Sequence, residues 1–171
     1  MTVLTILRHA KSSWDESGIS DFDRPLNGRG RDAAPRVGRE MRNRKMAFDS
    51  VFASPAVRVR ETIDGLARGY GQGLDVQFDQ ELYLADAETM FRKVRGLPAA
   101  AHSPLLVGHN PGLHDFVLRL TREDENALRE QVSGNLPTAA AVMIELPANR
   151  WNEVEWGSGQ IRELILPREL S

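Results

Sequence analysis

Residues 3–12 read VLTILRHAKS, and the passage from Leu7 to His9 decides the fold. Val3, Leu4, Ile6 and Leu7 make a near-continuous apolar run of strand length, the pattern of a strand buried on both faces of a parallel sheet. It then delivers a fixed cation, Arg8, and a titratable imidazole, His9, at its carboxyl end. The same event recurs twice. DSVFASP at 49–55 is a second buried strand, ending at Ser54-Pro55, with Arg58 in the first turn of the helix that follows. PLLVGHNPG at 104–112 is a third, ending in Gly108-His109-Asn110. Ligands of open parallel sheets bind at the carboxyl ends of the strands, so three polar ends are expected to face one pocket.

Helical segments separate these strands. Residues 28–46 read as a helix weakened by Pro35 and Gly38. Ser54 as N-cap with Pro55 at the first helical position starts the next, which keeps Val59, Ile63, Leu66 and Ala67 on one side and stops near Gly69-Tyr70-Gly71. Met90, Phe91, Val94 and Leu97 share a face in 86–97, and Leu113, Phe116, Val117 and Leu120 recur at helical spacing. Short strands are expected at 75–78, 138–146 and 161–166, the last two near a sheet edge, with Trp151 and Trp156 packing around the turn between them. Residues 11–27 and 121–137 read as loops. Alternating strands and helices predict an α/β fold with a mainly parallel sheet.

With 171 residues the chain has the length of a single domain, 1–171, able to bury a core. No apolar run reaches the roughly 18–20 residues of a membrane helix. The amino end has no basic flank followed by a long apolar stretch, and a cytoplasmic location without membrane association is expected. With no cysteine there is neither a disulfide nor thiolate chemistry. The net charge of −2, from 22 basic and 24 acidic residues, is that of a chain with no nucleic-acid partner. Arg29, Arg31, Arg36, Arg39, Arg42, Arg44 and Lys45 form one basic cluster, whose spacing suits a solvated helix face; the alternative is a docking face for an acidic partner.

Two arginines and two histidines in one pocket suit phosphoryl chemistry. Arginine presents a planar fork to paired phosphate oxygens. Neutral imidazole attacks phosphorus to give a covalent intermediate. Fixed cations then stabilise the equatorial oxygens without a metal, so no cofactor is expected.

LRHAKSSW, DFDRPLNGRG, SPAVRVRET and VGHNPGL together resemble the histidine phosphatase superfamily, and within it the SixA-type phosphohistidine phosphatases. The resemblance runs from about residue 2 to residue 120. It implies a three-layer phosphoglycerate mutase-like fold, with helices on both faces of the sheet. It implies His9 as the phosphorylated nucleophile, with Arg8, Arg58 and His109 binding the phosphoryl group, and excludes Arg60. Ala10 stands where most of the superfamily has glycine. Relatives that cleave alkyl phosphates place a proton-donating carboxyl near DQELYLAD, which points to Glu81 with Asp86 as runner-up; the alternative is a surface carboxylate. The expected reaction is hydrolysis of phosphohistidine, with a phosphohistidine-bearing protein as partner. The alternatives are a phosphatase for small phosphomonoesters and a phosphate- or phosphopeptide-binding module without turnover.

Overall fold

Sheet register is what brings the three polar strand ends together. The computed structural model describes residues 1–14 and 17–170, so Asp15 and Glu16 of the expected 11–27 loop lie outside the described residues. Six strands, β1 Thr2–Arg8, β2 Ser50–Ala53, β3 Val76–Phe78, β4 Pro104–Gly108, β5 Ala141–Leu146 and β6 Gln160–Ile165, form one sheet in the order β3-β2-β4-β1-β5-β6. The first four in that order run parallel. β5 is antiparallel to β1, and β6 to β5. Because β4 inserts between β1 and β2, Arg8 pairs with Gly108 and Ala53 with Val107. One residue further on, His9 N–H donates to the Gly108 carbonyl at 3.2 Å and Ser54 N–H to the Val107 carbonyl at 3.2 Å. The register alone therefore sets His9, Ser54 and His109 side by side.

Five helices cover the sheet: α1 Gly28–Asn43, α2 Val57–Tyr70, α3 Ala87–Arg95, α4 Gly112–Leu120 and α5 Ala127–Gly134. Alternation along β1 sends Leu4 and Ile6 to the face covered by α3, α4 and α5, and Leu7 to the face covered by α1 and α2. Helices thus lie on both faces, as the fold expectation requires. Phe116, Val117, Leu113 and Leu120 of α4 are fully buried, and Met90 and Val94 of α3 join them.

The helix expected over 28–46 is present as α1, with Pro35 and Gly38 inside it. A Cβ at Gly38 would stand 2.1 Å from the Leu66 carbonyl oxygen, so this glycine lets α2 approach rather than breaking α1. Two local expectations need correction, at Ser54 and at 121–137. Ser54 is not the N-cap of α2, which begins at Val57 with Ala56 before it. Residues 121–137 are not all loop; Asn126 caps α5, its side chain accepting from the amides of Leu128 and Arg129, and Val132 anchors it to the core.

Of the basic cluster, Arg29, Arg31, Arg39, Arg42, Arg44 and Lys45 are exposed as expected, whereas Arg36 is half-buried and donates to the Pro167 carbonyl at 3.0 Å. Trp151 is buried, its indole donating to the Ala101 carbonyl, and Trp156 stacks on Phe91 at 3.9 Å, so both pack. Among the described residues no helix is long and apolar enough to cross a membrane.

Candidate active site

A cavity of about 560 Å³ opens at the carboxyl ends of β1, β2 and β4, and Arg8, His9, Arg58 and His109 all line it. His9 ends the β1 run and is buried. Its Nδ1 lies 2.7 Å from the Ala10 carbonyl oxygen. A carbonyl only accepts, so Nδ1 carries the proton and Nε2 keeps its lone pair. Burial depresses the His9 pKa to about 4, helped by the charges of Arg58, Arg8 and Arg24 and opposed by the Ala10 bond, which is second only to burial. His9 is therefore a neutral imidazole at pH 7 with one nitrogen free. The departure at Ala10 is accommodated: its side chain is fully buried and its N–H donates to Thr62 Oγ1 at 2.9 Å. Thr62 donates in turn to the Arg58 carbonyl, tying the loop after His9 to α2.

His109 holds its proton the other way. Its ring centroid lies 5.2 Å from that of His9. Arg58 Nη2 lies 3.2 Å from His109 Nδ1, and a guanidinium only donates, so Nδ1 accepts. Nε2 then donates to Ser54 Oγ at 2.7 Å. Burial first, then the neighbouring charges of His9 and Arg58, push the His109 pKa down to about 3. Ser54, read from sequence as a helix cap, is instead the partner that orients this imidazole. Its hydroxyl can also donate, which allows the proton of His109 to move to Nδ1 when an oxyanion replaces Arg58 as neighbour.

Arg58 sits in the first turn of α2, almost wholly buried. It is held by Asp21: Nη1 donates to the Asp21 carbonyl at 2.6 Å and Nη2 pairs with its carboxylate at 3.1 Å. Asp21 also accepts from Tyr83 Oη at 2.5 Å and Arg24 Nε at 3.1 Å. Burial alone would raise its pKa, but the bonds from Tyr83, Arg58 and Arg24 outweigh that and hold it at about 2. Arg8 is anchored through Nη1 to the Leu136 carbonyl at 3.0 Å. Burial and the nearby charge of Arg58 lower its pKa.

Asp21 was missed by sequence reasoning. It lies within the quoted DFDRPLNGRG stretch, but its partners Arg58 and Tyr83 are 37 and 62 positions away, and no local spacing signals such a pairing. Glu81 is a correction in the opposite sense. It does not line the cavity. It is exposed in the turn before α3, paired with Arg92 at 2.9 Å and Lys93 at 3.0 Å, which lower its pKa. Those two cations keep it ionised, so it is a surface carboxylate. Asp86 is likewise engaged elsewhere, its side chain capping α3 through the Thr89 amide. Arg60 is exposed, bonded to the Pro55 carbonyl and lying over the Phe78 ring, apart from the cavity lining. Among the described residues, no three His, Asp or Glu side chains stand together as metal ligands would.

A family model for the histidine phosphatase superfamily (branch 1) matches residues 4–103, more than half of the chain, including Arg8, His9 and Arg58. The chain belongs to the histidine phosphatase superfamily. An uncharacterised protein of Mycobacterium leprae is 30% identical over 166 residues, spanning 95% of this chain and all of the relative. Among solved structures, a chain of Agrobacterium tumefaciens assigned as the phosphohistidine phosphatase SixA superposes with a TM-score of 0.81 at 26% identity, covering 97% of this chain and 98% of the other. The protein histidine phosphatase SixA complexed with tungstate has the same fold, with a TM-score of 0.78 at 19% identity and 98% coverage of both chains. A small-molecule phosphatase shares the fold too: an Escherichia coli chain assigned as an α-ribazole-5′-phosphate phosphatase gives a TM-score of 0.69 at 16% identity, covering 97% of both chains.

Proposed function

We propose that this protein is a phosphohistidine phosphatase working through a covalent phospho-His9 intermediate. The observation that carries the reading is the state of His9: a neutral imidazole with Nδ1–H tied to the Ala10 carbonyl and a free Nε2 in a cavity lined by Arg8 and Arg58. Nε2 attacks phosphorus, and the bond from phosphorus to the leaving nitrogen breaks with its electron pair going to that nitrogen, which takes a proton from solvent. Water then attacks phospho-His9, the electron pair returns to Nε2, and phosphate leaves. Arg8 and Arg58 hold the equatorial oxygens. His109, once its proton sits on Nδ1, donates to the same group.

Phosphohistidine is favoured over a phosphomonoester by the state of Asp21. An alkoxide leaving group needs a proton in the transition state, and general acid catalysis contributes ~10²–10⁴-fold. Asp21 lines the cavity but is held ionised at about pKa 2 by three donors, so it is not poised to give one. An imidazole leaving group accepts its proton from water. The similarity to the chain assigned as SixA, at 26% identity, supports the same choice. Comparing kcat/KM for a phosphohistidine-bearing protein, an aryl phosphate and an alkyl phosphate tests it. Phosphohistidine should lead, with the alkyl phosphate slowest; an alkyl phosphate turned over fastest would overturn the choice of substrate.

A further inference from the structure

The geometry points to a leaving-group subsite for the imidazole ring of phosphohistidine, made by Trp14 and Leu84 at the catalytic cavity. The inference rests on the phosphatase reading above and adds residues that determine which phosphoramidate is taken. Both side chains line the cavity that holds His9 and Arg58. Both are displayed to solvent against their chemistry, Trp14 at 76% exposure and Leu84 at 55%. A single exposed apolar residue needs no explanation. Two on the wall of one cavity whose floor is cationic and polar do.

Each is also held in place rather than left loose. The guanidinium carbon of Arg24 lies 3.5 Å from the centroid of the Trp14 ring, within cation–π range. Arg24 is itself fixed by Ser12 Oγ at 2.6 Å and by the Asp21 carboxylate at 3.1 Å. Leu84 has a φ of 52°, in the left-handed region that a leucine adopts only under strain. It follows Tyr83, whose hydroxyl bonds the same Asp21 carboxylate and whose ring meets His109 edge-on at 5.4 Å. Asp21 thus ties the Arg58 guanidinium, the Trp14 platform and the Leu84 turn to one point. Strain kept at a cavity wall is characteristic of functional positions. A phosphoryl group seated on Arg8 and Arg58 would share its cavity with these two side chains, which leaves them as the apolar wall available to its leaving group. A flat, weakly polar ring suits them, whereas a polyhydroxylated sugar would lose hydration there without recovering hydrogen bonds.

The test compares two substrates that each break a P–N bond, one with a ring on the leaving nitrogen and one without: phosphoimidazole and phosphoramidate. The readout is how each variant changes the ratio of their kcat/KM values from the wild-type value. Trp14→Ala should lower the ratio about tenfold, the scale of an aromatic stacking contact, and Trp14→Phe should restore most of it. Leu84→Gly removes the backbone strain, so it should raise the urea midpoint while lowering the ratio, and this opposition separates a binding role from a merely structural one. A ratio unchanged in both Trp14→Ala and Leu84→Gly overturns the subsite. Wild-type protein that cleaves neither P–N compound yet turns over an aryl phosphate overturns the phosphohistidine reading and the subsite with it. Wild-type cleavage of both compounds with an unmoved ratio in the variants overturns the subsite alone.

Discussion

His9 and His109 stand on neighbouring strand ends but keep their protons on different nitrogens, and in each case a neighbour that can act in only one sense decides which. The Ala10 carbonyl only accepts, so His9 is Nδ1–H; the Arg58 guanidinium only donates, so His109 is Nε2–H. Burial lowers both pKa values, to about 4 and about 3. A depressed pKa keeps each ring deprotonated, hence neutral and ready, at every pH above those values. In a ¹H–¹³C spectrum of imidazole Cε1–H signals, the His9 and His109 resonances should stay flat from pH 8 to 5 and move only near pH 4 and below. Titration of either near 6.5 would contradict the account. A second expectation concerns the carboxylates. Asp21→Asn removes the charge that holds Arg58 and Arg24, and kcat/KM should fall by ~10-fold or more, the scale of hydrogen bonds to charged groups. Glu81→Gln should change kcat/KM less than about twofold on alkyl, aryl and P–N substrates alike, since that side chain faces Arg92 and Lys93. These two residues mark where sequence reading fell short. Glu81 was assigned through a resemblance in a stretch whose only local signal is acidity. Asp21 acts through partners brought to it by folding.

At the scale of elements, the strand ends were legible because apolar runs that stop at Arg8-His9, Ser54-Pro55 and His109-Asn110 are written contiguously in the chain. The role of Ser54 was not legible, since a serine before a proline is also an ordinary helix start; only the β2–β4 register reveals that its neighbour is His109. α5 was hidden by its shortness and by the charged run before it. Gly38 and Pro35 weakened the helical reading of 28–46, yet they are where α1 and α2 pack. A Cβ at Gly69 would stand 1.8 Å from the Pro35 carbonyl oxygen. Gly69→Ala must therefore push α2 off α1, costing about 1–3 kcal/mol by overpacking. A urea titration of this variant should show a lower midpoint, with reduced activity because Arg58 rides on α2. An unchanged midpoint would mean that the two helices are not locked at this glycine.

Across the whole molecule, order in the sheet explains how a chain with net charge −2 builds a cationic site. β4 lies between β1 and β2, so three crossovers deliver their polar ends to one place, and α2 adds Arg58 from its first turn. Arg8, Lys11, Arg24 and Arg58 line the cavity, with Asp21 the carboxylate beside them. That balance suits an oxyanion such as vanadate or tungstate more than a divalent cation, whose hard oxygen ligands would have to come from carboxylates. The central claim is that the phosphoryl group passes through a covalent bond to His9, and rapid quench followed by peptide mass spectrometry at alkaline pH tests it most directly. Mixed with phosphoramidate and quenched within the first turnover, the wild-type protein should carry one phosphoryl group on the peptide containing His9, lost on mild acid treatment, and His9→Ala should carry none while keeping its fold by circular dichroism. A wild-type protein that turns over substrate with no phosphorylated peptide, or a His9→Ala variant with near-normal turnover, would contradict the account.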